Sequence, residues 1–380
     1  MSLPLQMSQL SPDSMVDASK GTAQPLSVRK DRQRLVWVDY AKVLGIYLVI
    51  FGHLPLADWG LNSYIANIRM PLFFMLSGIF EKKADFGASL KISAERLMWP
   101  YFVFYMLAWV WTLIETFILK IPFYPNPIFF ETVQKPLAGM LIGTANNTLY
   151  STIINGPIWF LFALFWIKLL FAGSYSLCRR RDWAVYLLQI PVIIGGWLLC
   201  RTGRFIWFSF ESALMGMPFY VFGYWLKEND IIEKLYKTRF MPLMFLGAAG
   251  LSYLGYRLNG TSFIASGTFG NSYLLFLLTG ISGALMFSFL LRMIPQKRIG
   301  IIETMSKGTL VIVGIHLHLS ALLIIILKIF APRFTAFSNA EALLFSLLVM
   351  LACYWPIEFS EKKAPWILGR FGSKNVTPLR

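Results

Sequence analysis

Residues 38–53 read VDYAKVLGIYLVIFGH, an apolar run that carries three ionisable side chains. On a helix, Lys42 and His53 are eleven residues apart and share one face, about 16 Å apart along the axis. Asp39 precedes Lys42 by three residues and falls in the same narrow sector. Gly45 and Gly52 lie near that sector and leave room for something to approach it. An ionisable residue inside a membrane span is costly and marks, by default, a pathway or a site. The segment reads as a functional stripe if the chain is a membrane protein.

Composition meets that condition. Of 380 residues, 57% are hydrophobic and only 14% charged, with a mean hydropathy of +0.59. A soluble chain has about a quarter of its residues charged, so the expected fold class is an all-α polytopic membrane protein. Ten apolar stretches are long enough to cross a bilayer. They lie at roughly 35–55, 63–80, 98–119, 157–177, 183–200, 206–226, 241–257, 271–291, 308–330 and 341–359. The sixth is interrupted by Glu211 and Pro218, and a shorter run around Pro136–Thr144 is interfacial or re-entrant.

The net charge of +16 would suggest nucleic acid in a soluble protein, but its placement has another cause. With the N-terminus inside, the inner segments hold 25 Lys and Arg and the outer segments six. That inside-positive bias predicts ten transmembrane helices with both termini cytoplasmic, and no nucleic-acid partner. Residues 1–32, rich in Ser, Gln and Pro, are expected to form a disordered cytoplasmic tail rather than a signal peptide. Residues 33–360 form the membrane domain and 361–380 a second cytoplasmic tail. Between 120 and 156, aromatic residues alternate with Pro and Asn. Such a stretch suits a sugar ligand or an ordinary interfacial aromatic belt.

The three histidines, His53, His316 and His318, all fall inside hydrophobic stretches. A neutral imidazole can take a proton from a hydroxyl or carry an acyl group. His316 and His318 point to nearly opposite helix faces, so at most one of them shares a site. No metal site is expected, because the histidines are dispersed and HExxH is absent. The three cysteines form no ligand spacing or disulfide framework.

Further motifs accompany these residues. Lys42, ten residues and His53 are followed by Phe73-Phe74-Met75-Leu76-Ser77-Gly78 and by Arg96-Leu97-Met98-Trp99-Pro100-Tyr101. Pro157–Leu161, Pro218–Tyr224 and Thr309–His316 come later. Together, over about 35–360, they resemble the acyltransferase-3 family of integral-membrane O-acyltransferases, particularly its fucose-O-acetylase-like branch. Trp99 stands where many members have a second arginine, and Val313 where many have a tyrosine before the late histidine.

The resemblance implies transfer of an acyl group, usually acetyl, from cytoplasmic acetyl-CoA to a hydroxyl of a cell-envelope or lipid-linked saccharide in the bacterial cytoplasmic membrane. Acetyl-CoA would be the donor substrate, with no bound cofactor, and membrane lipids would surround the chain. His53 becomes the expected chemical centre, on the Asp39–Lys42 face, with His316 in support. Lys42 would meet a CoA phosphate, or simply pair with Asp39. Arg96 would bind phosphate, or serve as an inside-positive flank. Ser77 and Gly78 suit helix packing or approach of the pantetheine arm better than nucleophilic catalysis. Glu211 would orient the acceptor or His53, or pair with Arg201 and Arg204. The rival class is a transporter or flippase with Asp39, Lys42 and His53 along a proton or substrate path. No internal repeat between the halves and no P-loop favours that rival.

Overall fold

The computed structural model describes residues 35–118, 133–145, 153–179, 181–236 and 238–371. The expected tail at 1–32, much of the aromatic segment at 120–156 and the chain beyond 371 lie outside the described residues.

Long apolar runs whose backbone must satisfy its own hydrogen bonds fold as helices. In order these are α1 (Val36–Phe51), α2 (Gly60–Ile79), α3 (Phe86–Ser93), α4 (Trp99–Leu113) and α5 (Lys135–Ile142). After them come α6 (Trp159–Leu177), α7 (Asp182–Arg201), α8 (Phe210–Glu228), α9 (Ile231–Tyr236) and α10 (Met241–Asn259). The chain continues with α11 (Tyr273–Met293), α12 (Gly300–Lys307), α13 (Thr309–Phe330), α14 (Asn339–Ala352) and α15 (Tyr354–Lys362). A π-helical turn at Ala94–Met98 joins α3 to α4 and a second at Ile114–Ile118 extends α4, giving one run of 33 residues. No strand occurs among the described residues.

Helix occupies every range read from the sequence, but six helical runs among the described residues are long and apolar enough to cross a membrane. They begin at Phe86, Ile154, Asp182, Tyr273, Thr309 and Asn339. The other four ranges hold α1, α2, α8 and α10. At 16 residues α1 is shorter than the ~20 that span a hydrocarbon core. Polar residues dilute the others, including Arg69 in α2 and Glu211 in α8. Despite Glu211 and Pro218, α8 runs unbroken.

α2 is the packing centre, set against α1, α8 and α11. Glycines permit the α2–α8 crossing: a Cβ on Gly78 would overlap the Tyr220 carbonyl, and one on Gly223 the Met75 carbonyl. Such close backbone approach is how membrane helices associate without a hydrophobic driving force between them. α7 is peripheral, with Leu187, Ile190, Ile194 and Leu198 exposed along one stripe. In a membrane chain that stripe is a lipid-facing surface. α14 starts from a capping box in which Ser338 and Glu341 satisfy each other's backbone N–H groups.

Candidate active site

A cavity of about 550 Å³ runs between α1, α2, α6, the loop at 263–265 and the start of α13. Its walls are mostly aromatic and aliphatic, with Phe73, Phe80, Trp159, Phe160, Leu164 and Leu310 among them. The polar groups gather at two ends. That distribution fits a ligand site, where an apolar wall gives contact area and a few polar groups fix orientation.

One end is built on the last turn of α1. His53 follows the helix and its Nδ1 lies 2.7 Å from the Val49 carbonyl. A carbonyl can only accept, so Nδ1 carries the proton and the neutral ring keeps Nε2 as a bare base. The side chain is exposed to the cavity it lines. Behind it His316 is fully buried, its ring centroid 5.2 Å from that of His53 in an edge-on arrangement. His316 repeats the same bond, Nδ1 to the Ile312 carbonyl at 2.8 Å, and its Nε2 has no partner among the described residues.

Arg69 of α2 completes this end. It is 7% exposed and lines the cavity. Its Nη1 donates to Asn62 Oδ1 at 3.0 Å and to the Leu48 carbonyl at 3.4 Å. The final carbonyls of α1, the negative end of its dipole, are thus met by a guanidinium and an imidazole. Gly52 makes this possible, since a Cβ there would overlap the guanidinium.

The opposite end holds Lys42, whose Nζ lies 5.3 Å from the centre of the Phe80 ring, with Ser77 and Lys168. Lys168 Nζ is 2.5 Å from Glu81 Oε2, and Tyr220 donates its hydroxyl to the same oxygen. Lys227 Nζ donates to the Glu81 carbonyl at 2.7 Å. Just beyond, Lys83 bridges Asp182 at 2.8 Å and Glu228 at 2.7 Å. Its partial burial opposes the charge, but bonds to the two carboxylates outweigh this and raise its pKa above the usual lysine value. These contacts tie together α2, α6, α7 and α8.

The expected site residues therefore separate. His53, Lys42 and Ser77 line the cavity, and His316 packs on His53. The Ser77 hydroxyl donates to its own helix, at Phe73 O, 2.8 Å away. Asp39 is buried and bound by the Ser306 hydroxyl at 2.5 Å; fourteen residues from His53, it is about 21 Å away along α1 and cannot orient that ring. Gly78 is taken up by the α8 crossing. Arg96 sits in the π-helical turn one residue before Leu97, which does line the cavity. Glu211 is buried outside the cavity and accepts from Ile206 N at 3.1 Å. No ion pair joins it to Arg201 or Arg204; Arg201 instead lies over the Trp197 ring. His318 does not line the cavity, and its Nε2 is buried without a partner among the described residues.

Sequence reasoning missed Arg69, Asn62 and Lys168. The signal was present, because Lys42, Arg69, Lys168, Arg257 and Lys328 are the Lys and Arg residues inside the ten apolar ranges. The cost argument that singles out Lys42 applies equally to Arg69 and Lys168. Arg257 and Lys328, exposed near the ends of α10 and α13, are the ones that can extend outward.

The family model described as an acyltransferase domain matches residues 35–358, from the first residue of α1's cap to α15. The chain belongs to the acyltransferase-3 family. It is accordingly a membrane acyltransferase, and the cavity with its imidazole pair lies wholly within the matched acyltransferase domain. Compared with curated proteins and with solved structures, the chain has no significant match in either set.

Proposed function

We propose that this acyltransferase moves an acetyl group from cytoplasmic acetyl-CoA to a hydroxyl of a cell-envelope or lipid-linked saccharide. The membrane would be the bacterial cytoplasmic membrane, crossed ten times with both termini inside. The observation that carries the reading is the polarity of the cavity: cations at the Lys42 end, an imidazole with a bare Nε2 at the other, and an apolar passage between them. A CoA thioester has the matching sequence of parts, from phosphates through a slender pantetheine arm to a reactive carbonyl.

In this reading Lys42 and Lys168 draw the donor's phosphates to the mouth, and Arg96 meets the nucleotide outside it. Phe73, Phe80 and Leu164 enclose the arm and exclude water. His53 Nε2 takes the proton from the acceptor hydroxyl as that oxygen attacks the thioester carbonyl, and returns a proton to the departing sulfur. His316 holds the plane of the His53 ring by packing, while Val49 fixes its tautomer. The fucose-O-acetylase-like motifs support a saccharide acceptor entering at the His53 end, beside Trp59 and Phe263.

Incubating the purified protein with acetyl-CoA and following free thiol tests the donor. Mass spectrometry of envelope glycans from wild-type and deletion cells tests the acceptor through a lost acetyl increment. No thiol release, with transport of a solute into vesicles, would move the chain to the transporter class. Reporter fusions after Arg181 and near Asn146 test the orientation, the first expected cytoplasmic and the second external.

A further inference from the structure

We infer that Arg69 supplies the positive charge that stabilises the oxyanion formed on the thioester carbonyl when the acceptor attacks. The inference rests on the acyl-transfer reading above and assigns a second catalytic group to that site. Arg69 is almost wholly buried, yet no carboxylate lies within ion-pairing distance among the described residues. Its two hydrogen bonds use Nη1 alone, and both acceptors are neutral. Among the described residues Nε and Nη2 have no acceptor, and neither is sealed from solvent. Since the residue lines the cavity, that exposure is to the cavity.

A buried cation without a counter-ion is unfavourable in the resting protein, and its partner must arrive from elsewhere. The fold goes to some length to hold it. Gly52 gives up a side chain so that the guanidinium reaches Leu48 O, and Asn62 Oδ1 clamps the same nitrogen. With Oδ1 committed, the amide orientation is fixed, and Asn62 Nδ2 is left buried without an acceptor among the described residues. Fixed donors next to a base, in a site that excludes water, are what electrostatic stabilisation of a tetrahedral intermediate requires.

The electron count closes. The acceptor oxygen forms a bond to the thioester carbon as its proton passes to His53 Nε2, and the carbonyl π pair moves onto oxygen facing Arg69. On collapse that pair reforms the carbonyl, the C–S bond breaks with its electrons on sulfur, and His53 returns the proton to sulfur. Ester and free CoA thiol leave, with His53 and Arg69 unchanged.

The test uses full-length protein in nanodiscs with acetyl-CoA and water as acceptor, thiol release reporting turnover and calorimetry reporting donor Kd. Arg69→Gln should lower kcat by roughly 10²–10³-fold with donor Kd unchanged. Asn62→Asp separates charge from structure, because it keeps the clamp and adds the missing counter-ion. It should raise the melting temperature while lowering kcat by about tenfold or more. Normal turnover in Asn62→Asp would reduce Arg69 to a cap on α1 and overturn the inference. Loss of donor affinity with kcat preserved in Arg69→Gln would make it a phosphate anchor and overturn it likewise. If the wild type releases no thiol, it is acyl transfer itself that fails. Thiol release indifferent to both variants removes only the role of Arg69.

Discussion

The two ends of the cavity treat positive charge in opposite ways. At one, Lys168 is held by Glu81 and Tyr220, and Lys83 by Asp182 and Glu228. At the other, Arg69 meets only an amide oxygen and a backbone carbonyl among the described residues. A cation balanced by its own carboxylate contributes to the scaffold and is already matched in charge before any ligand arrives. A cation left unbalanced beside a base is prepared for negative charge that appears only during reaction. The contrast assigns binding and helix cross-linking to one end and chemistry to the other.

The largest effect that could break this contrast is at His53. His53→Gln keeps much of the shape and hydrogen bonding but has no titratable base, and should cost roughly 10²–10⁴-fold in turnover. Protein level and acetyl-CoA affinity should stay normal. Near-normal turnover would make His53 a packing residue and leave the chemical end without a base. Radiolabel from acyl-CoA that stays on the wild type and disappears in His53→Ala would indicate an acyl-imidazole instead of simple base catalysis.

The scaffold end should respond in stability first. Glu81→Gln strips the anion from a cluster in which Glu81 is buried and Lys168 partly so. Removing one partner of a buried pair costs about 3 kcal/mol at the lower end of the measured range. Thermal unfolding in detergent should show that loss, and kcat at saturating donor should fall far less than in His53→Gln. Should Glu81→Gln abolish turnover while remaining as stable as the wild type, the division of labour between the ends is wrong.

Much of the fold was legible because membrane physics leaves few choices. Apolar runs without water must be helical, so helix occupies each of the ten ranges. The site was half legible. Spacing on one helix placed Lys42 and His53 on a common face, and both line the cavity. The same spacing could not say what lies opposite. Asp39 shares the sector but engages Ser306, some twenty ångströms from His53. Glu211 looked available because sequence does not reveal that its backbone partner is Ile206 N. Ser77 and Gly78 are adjacent yet face different ways, one to the cavity and one into the α8 crossing. Arg69 was hidden by the strength of the FFMLSG motif that follows it. A charge inside an apolar range carries its own cost, and Arg69 carries it as Lys42 does.

The smallest expected effects sharpen the binding end. Lys42 lines the cavity, whereas Arg96 lies one residue beyond its lining in a half-buried π-helical turn. Both were expected to meet CoA phosphates, but geometry ranks them. A charge-assisted contact is worth about 1.5 kcal/mol, so Lys42→Met should raise the acetyl-CoA KM about tenfold with kcat little changed. At Arg96 the field is shared with neighbouring Arg370, Glu95 and Glu361, and solvent screening is stronger. Arg96→Gln should therefore raise KM by only about twofold, an effect that fades as salt is added. Equal, salt-resistant losses in the two variants would mean that the donor's phosphates sit deeper along the α3–α4 run than the cavity mouth. In that case Lys168, not Arg96, would be the residue released from donor binding.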